Sequence, residues 1–179
     1  MDTFLITAFE PKFMSGIDEY IIAGNLLLMY FREKGIRYYR RPEDGGSFQL
    51  YYRLKNTGLS VQHCISVKGL RYMCQTRAAE IHPRTRDAYF RLQALTETMN
   101  SRIESGRFAV DDGPGQLRFC DGFRIAPEME TANAEMLYEQ FDRLIFRPQY
   151  LMDVEFADEL TEFRKESMGE AAAESGKRE

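Results

Sequence analysis

The chain has 179 residues, of which 44% are apolar, and a net charge of -4, which suits one domain with a sizeable core. Its longest apolar block, residues 20–31, is too short to cross a bilayer, and its first residues lack the basic start of a signal peptide. An odd number of cysteines, 3, without a close pair argues against a disulfide framework, so a cytoplasmic protein with reduced thiols is expected.

In chain order, residues 1–14 are predicted to form an N-terminal arm, 15–166 a single domain and 167–179 a disordered tail. The first helix is predicted to begin after the N-cap residue Ser15 and to end at Gly35. Its predicted core stripe is Ile17, Ile21, Gly24, Leu28 and Phe31. Further apolar residues widen this helix, which indicates either contact with a second subunit or deep burial.

Four strands are predicted next: Ile36–Arg41, Phe48–Lys55, Val61–Lys68 and Arg71–Arg77. The links between them are short, and parallel neighbours need long crossovers, so these strands must pair antiparallel. Alternate positions are apolar, and the positions between them are polar or basic. The sheet is therefore expected to have one apolar face and one basic face in contact with water.

The stretch from residue 84 to 125 is predicted to be a long helix followed by a tight hairpin. A helical stripe ends before Gly106, and the apolar period then changes to two around a turn at Asp112–Gly115. The stripe comprises Ala88, Leu92, Leu95, Met99 and Ile103. Leu92, Leu95, Met99, Phe108, Leu117, Phe119, Leu137 and Phe141 are expected to form one contiguous core.

Two more helices are predicted, one over Thr131–Phe146 that Pro148 interrupts, and a shorter one from Leu151 to Phe163. The first and last helices carry more apolar area than one side of a sheet covers, so a homodimer is expected. The predicted dimer surface is Tyr20, Ile22, Leu26, Tyr30, Met152, Phe156 and Phe163.

No sequence pattern indicates catalysis, a metal site or a cofactor. His63 and Cys64 are neighbours on a predicted strand, so their side chains point to opposite faces and cannot share a metal ion. Asp111 and Asp112 precede a glycine-proline-glycine segment and are typical of a turn. We therefore expect that the protein is not an enzyme.

Basic residues and tyrosines are concentrated between residues 36 and 78, where the only acids are Glu43 and Asp44. Such a surface suits single-stranded nucleic acid, an acidic protein partner, or simple solvation. The acidic partner includes the acidic C-terminal region of the same chain or of a second subunit. The candidate partner-binding residues are Tyr51, Arg53, Lys55, Lys68, Arg71 and Arg77.

A family pattern is clearest between residues 84 and 163. Its features are Met99-Asn100 at a helix end, Gly106-Arg107-Phe108, Asp111-Asp112, Leu117-Arg118-Phe119, and a closing helix with Leu137, Phe141 and Ile145. With the order of elements, helix, strand meander, helix, hairpin, helix, the chain resembles the YbjN-like family of bacterial proteins.

The resemblance implies an α+β fold of the type III secretion chaperone kind, with an antiparallel sheet flanked by helices. It also implies a small, cytoplasmic, non-enzymatic protein that binds other proteins as a chaperone or regulator, often as a dimer. No cofactor and no membrane partner are expected, and the partner itself is not identified. The alternative is a regulator that binds nucleic acid through the basic, tyrosine-rich face.

Overall fold

The computed structural model describes residues 16–40, 47–112, 115–125 and 134–175, so the predicted N-terminal arm and the Ser15 cap lie outside the described residues. The helices are α1 (Gly16–Lys34), α2 (Arg86–Ser101), α3 (Ala134–Tyr150) and α4 (Ala157–Ser175), with a π-helical turn, Leu151–Glu155, between the last two. The strands are β1 (Tyr39–Arg40), β2 (Phe48–Arg53), β3 (Ser60–Lys68), β4 (Arg71–Ala78), β5 (Arg107–Val110) and β6 (Leu117–Arg124).

The six strands form one sheet in the order β1-β2-β3-β4-β6-β5, and every neighbouring pair is antiparallel. Consecutive strands from β1 to β4 are joined by short turns, and Gly58 and Gly69 adopt the positive φ that these turns need. The predicted α+β class, with an antiparallel sheet flanked by helices, is confirmed.

The helices lie on one side of the sheet because alternate strand residues supply the apolar surface there. On β3, for example, Val61, His63 and Ile65 are buried under the helices, whereas Gln62 and Cys64 point to the other side. The hydroxyl of Tyr72 on β4 donates a 2.8 Å hydrogen bond to the carbonyl oxygen of Ala23 and so anchors α1 to the sheet.

The apolar interior is divided into two clusters rather than the single contiguous core that the sequence predicts. Leu92, Met99 and Phe119 belong to a cluster under α2 and α4, whereas Phe141 belongs to a cluster under α1 and α3. Tyr52 packs against both clusters. The division coincides with a buried polar group around His63, where polar side chains replace apolar ones.

One free edge of the sheet is protected by a side chain of α2. The Asn100 side chain accepts a 2.7 Å hydrogen bond from the backbone N–H of Phe108 and donates a 2.9 Å bond to its carbonyl oxygen. These two bonds satisfy the N–H and C=O of Phe108 and hold α2 against the hairpin that follows it.

Several predicted boundaries are wrong. The first strand has 2 residues rather than the predicted six, and α2 ends at Ser101, where the Arg102 N–H bonds the Met99 carbonyl, rather than at Gly106. Gly106 instead precedes β5 with a φ of 74°. The predicted stripe of α1 is also rotated, because Ala23, Leu27 and Tyr30 are buried with Phe31, whereas Ile21 is exposed.

Pro148 does not interrupt the third helix, which continues to Tyr150. Buried side chains on both sides of it, including Ile145 and Leu151, hold the helix in place although proline removes one backbone donor. The segment predicted to be a disordered tail from residue 167 is helical to Ser175, and Ser167 at its start is buried. Residues 176–179 lie outside the described part.

Candidate protein-binding surface

The side of the sheet opposite the helices, here called the open face, is covered by no described element. Strand alternation and register place a defined set of side chains there. Its basic members are Arg53, Lys68, Arg71, Arg77, Arg107, Arg118 and Arg124.

One end of the open face carries three basic side chains in a row, here called the basic row. Lys68 lies opposite Arg71, and Arg71 lies opposite Arg124, and all three are exposed. No carboxylate among the described residues forms an ion pair with any of them. Like charges placed directly opposite destabilise a sheet, so this row is suited to an anionic partner.

A second pair of arginines, Arg77 and Arg118, is directly opposed on β4 and β6 but shares a carboxylate. Asp111 accepts a 3.1 Å bond from Arg77 Nε and lies 2.7 Å from Arg118 Nη1. Asp111 closes the predicted turn, since the Gly115 N–H donates a 3.1 Å bond to its carbonyl oxygen, and its carboxylate, in a residue only 7% exposed, is also the counter-ion of both arginines. No local sequence pattern indicates this role, because the alignment of Arg77 with Arg118 arises only from the pairing of β4 with β6.

Between these basic groups the open face is uncharged, and we call this part the neutral band. It contains Cys64, Ser66, Met73, Gln75, Cys120 and Gly122. Met73 is 43% exposed. A Cβ on Gly122 would lie 2.6 Å from both the Met73 sulfur and the Tyr72 carbonyl oxygen, and because that backbone oxygen is held in the sheet, the position needs glycine.

The β1–β2 side of the open face is aromatic and ordered by hydrogen bonds. Tyr39 and Tyr51, which are 65% and 52% exposed, make an edge-to-face contact with ring centroids 5.7 Å apart. Gln62 Nε2 donates to Gln49 Oε1 at 3.2 Å and to the Tyr51 hydroxyl at 3.0 Å. These bonds fix the side chains before any partner binds.

Five of the six candidate partner-binding residues lie on the open face: Tyr51, Arg53, Lys68, Arg71 and Arg77. Lys55 does not, because it lies in the β2–β3 turn, whose backbone binds Asp153 of the π-helical turn. Asp153 accepts backbone bonds from Lys55, Asn56 and Thr57 at 3.1, 2.9 and 2.9 Å. Partial burial opposes its ionisation, but these N–H groups outweigh it and hold the pKa of Asp153 below its ordinary value.

A groove of about 250 Å³ lies beside this turn. It is lined by Arg53, Leu54, Lys55, Gln149, Tyr150, Asp153 and Val154. Its walls therefore combine basic groups with the exposed apolar surface of Tyr150 and Val154.

Four residues of the predicted dimer surface are not available for a dimer. Tyr30, Met152 and Phe156 are 0% exposed and Phe163 is 5% exposed, because all four pack inside the two apolar clusters of one chain. Tyr30 also donates a 2.6 Å bond to Asp142 of α3. The other three, Tyr20, Ile22 and Leu26, are partly buried.

The exposed apolar side chains of the helical side lie at positions other than those of the predicted dimer surface. Phe146, Tyr150 and Val154 recur every four residues along α3 and the turn that follows. Within the described helices and the π-helical turn, the exposed large apolar side chains are Ile21, Met29, Phe90, Met136, Phe146, Tyr150, Val154 and Met168.

His63 is buried on the helical face of β3 and, as predicted, points away from Cys64. Its Nδ1 lies 2.6 Å from Thr76 Oγ1, and its Nε2 lies 3.1 Å from Gln149 Nε2. Burial lowers the pKa of His63 to about 3, so the ring is neutral. Among the described residues, no three His, Cys, Asp or Glu side chains are grouped to hold a metal ion.

No protein-family model matches the chain, and no curated protein matches its sequence. Among solved structures, the chain is similar to YbjN from E. coli, described as a candidate transcription regulator, with a TM-score of 0.51 and 13% identity over 77% of this chain and 88% of that one. The chain has the YbjN fold. At this identity, the similarity to YbjN shows the fold alone.

A chain of the ExsC–ExsE complex is also similar, with a TM-score of 0.45 and 14% identity over 75% of this chain and 94% of that one. No helix within the described ranges has the length and apolar character needed to cross a membrane.

Proposed function

We propose that this protein is a non-enzymatic protein-binding module of the bacterial cytoplasm, acting as a chaperone or regulator, and that it binds its partner through the open face. The observation that carries the proposal is the one-sided covering of the sheet. Helices pack on one face, and the other presents exposed Tyr39, Tyr51 and Met73 among basic side chains.

The composition of the open face supports a protein partner. Interfaces between proteins commonly have an uncharged centre enriched in aromatic residues and methionine, surrounded by a polar rim. Here the neutral band is the centre, and the arginines and Lys68 surround it. The free thiols of Cys64, Cys74 and Cys120 suit a reducing compartment.

Site-specific photo-crosslinking in cells tests this function. A photoreactive residue replaces Met73 on the open face or, as the matched control, Met168 on α4, which is 58% exposed. We expect a discrete protein adduct from position 73 and none from position 168. Adducts of equal yield from both positions, or none from 73, would contradict the proposal.

We further propose that the protein is a homodimer, joined through the helical side. The exposed Phe146, Tyr150 and Val154 form an apolar stripe that a second copy covers in a closed two-fold pair. The open faces of both copies then remain free for partners.

Nucleic-acid binding is the second candidate function, and the exposed Tyr39 and Tyr51 beside Arg53 favour it. Exposed aromatic rings stack on bases, and arginines neutralise phosphates. An oligothymidine 20-mer tests it, because such binding must weaken steeply as salt is raised.

A further inference from the structure

The open face has a geometry that selects one kind of protein segment. The basic row and the Arg77–Arg118 pair lie on opposite sides of the neutral band. Arg77 is six positions after Arg71 on β4, and Arg124 is six positions after Arg118 on β6. At about 3.3 Å per residue, the two groups are roughly 20 Å apart along the strands.

The backbone of the neutral band cannot bind an extended peptide. It is made mainly by β3, β4 and β6, each of which has a paired strand on both sides. Their N–H and C=O groups are therefore used within the sheet, and an extended segment on top would leave its own groups unpaired. An α-helix satisfies its backbone internally and is about 10–12 Å wide with its side chains, which fits between the two basic groups.

The charge of the face sets the chemistry of that helix. Lys68, Arg71 and Arg124 carry no described counter-ion on one side of the band, and Arg77 and Arg118 share the single carboxylate of Asp111 on the other. A helix lying across the strands therefore meets positive charge on both flanks. Its centre meets Met73, Gly122 and the small side chains of Ser66 and Cys64.

The same layout disfavours a nucleic-acid strand. A phosphate backbone needs positive groups along its whole path, whereas the middle of the open face is uncharged. The stacking residues Tyr39 and Tyr51 lie at the β1–β2 side, while the basic row lies at the far end of β3, β4 and β6. Apart from Arg53, which lies beside Tyr51, the charged side chains of the open face are thus separated from the rings.

We propose that the open face binds an acidic amphipathic α-helix of a partner protein, lying across the strands over the neutral band. Carboxylates on one flank of the helix pair with the basic row, and those on the other pair with Arg77 and Arg118. The small and apolar side chains along its middle contact Met73. This inference rests on the proposed function, because it specifies the partner of the same surface.

A synthetic helical peptide serves as the probe. It has about five helical turns, an alanine-leucine stripe and glutamates on both flanks. Its binding to the full chain is measured by fluorescence anisotropy. Arg71→Glu with Arg124→Glu should weaken binding by about tenfold or more, because two attractive contacts become repulsive.

The matched control is Arg32→Glu with Lys165→Glu, which changes the net charge equally at exposed residues of α1 and α4. It should change the affinity less than about twofold, because surface charges far from the site are screened by salt. A peptide with lysine in place of each glutamate should not bind. Thermal unfolding of each variant shows that it is folded.

Equal weakening by both charge-reversed pairs would overturn the inference, as would tighter binding of the oligothymidine 20-mer than of the peptide. Failure of the peptide to bind, together with a protein adduct from position 73, would refute the acidic helix and leave the proposed function standing. Failure of both experiments would refute both.

Discussion

His63 has a proton assignment that follows from its two partners. Gln149 approaches with its amide nitrogen, which can only donate, so His63 Nε2 accepts and Nδ1–H donates to Thr76. The neutral ring suits its burial, and the pKa of His63 is accordingly lowered to about 3 from 6.5. The unfolded chain takes up a proton near pH 6.5 and the folded chain does not, so protonation favours unfolding as the pH falls.

We predict that the free energy of unfolding falls by about 1 kcal/mol between pH 7 and pH 5.5 because of His63 alone. His63→Gln should remove this part of the pH dependence, whatever it costs in absolute stability, and His82→Gln should retain it. Urea unfolding at several pH values measures the slopes. Parallel slopes for the wild type and His63→Gln would contradict the assignment.

The sequence predicts the strands that carry His63 and Thr76. It does not predict that these two polar side chains meet Gln149. The short Gly69-Leu70 turn places Thr76 opposite His63, and strand alternation buries both. Gln149 comes from α3, 86 residues away along the chain, and no local pattern shows which helix residue will reach the ring.

At the scale of elements, Asp153 joins two parts of the chain that are distant in sequence. The π-helical turn presents this carboxylate to the backbone of the β2–β3 turn, and Asn56 Nδ2 donates in return to the Asp153 carbonyl oxygen at 3.1 Å. Because its pKa is depressed, its stabilising effect is complete above the ordinary carboxyl range and is lost as the pH falls below it.

Asp153→Ala should reduce the free energy of unfolding by about 1–2 kcal/mol at pH 7, because three N–H groups lose a charged acceptor at a partly solvated site. Asp158→Ala, at an exposed position on α4, is the control and should cost less than about 0.5 kcal/mol. Urea unfolding measures the free energy of unfolding of both variants. Equal losses would mean that the bonds of Asp153 to the β2–β3 turn do not stabilise the fold.

The stripe of α2 was predicted, but its residues are not equally buried. Leu92 is 0% exposed, whereas Leu95 is only partly buried against the same cluster. Leu92→Ala should therefore cost about 2–5 kcal/mol, and Leu95→Ala clearly less. Chemical denaturation of the two variants measures these losses of unfolding free energy. A larger loss for Leu95→Ala than for Leu92→Ala would show that the rotation of α2 described here is wrong.

Strand and helix identity could be predicted well because alternation in β2, β3 and β4 and the stripe of α2 are local patterns. The rotation of α1 could not, because its run of apolar residues offers more than one stripe. The packing of Tyr30 on Tyr138 and Phe141 decides between them. Pro148 was misassigned for a related reason, since buried contacts on both sides outweigh its local effect.

For the whole molecule, the exposed stripe of Phe146, Tyr150 and Val154 replaces the predicted dimer surface and gives a specific prediction of oligomeric state. Light scattering should give twice the 20.9 kDa mass of one chain, and Phe146→Glu should reduce it to one. Phe156 is buried in the monomer, so Phe156→Glu should unfold the chain rather than separate a dimer. A wild-type mass of one chain would refute the dimer.

At the scale of the whole molecule, the candidate site is the set of basic side chains on the open face, and only part of this set could be recognised from the sequence. Alternation in the meander predicted which residues face away from the helices, so Arg53, Lys68 and Arg71 were found from sequence. Arg118 and Arg124 were not selected, because β6 joins the meander only through its pairing with β4. The basic row therefore exists only in the folded sheet.

The cysteines provide the most direct measurement of the central claim that a partner covers the open face. Cys64 and Cys120 lie on that face, whereas Cys74 is buried on the other, where burial raises its pKa to about 12. Thiol alkylation followed by mass spectrometry compares the purified chain with the chain in native lysate. We predict that Cys64 and Cys120 react in the purified chain and are protected in the lysate, while Cys74 is unreactive in both. Equal labelling of Cys64 and Cys120 in the two samples would contradict the account.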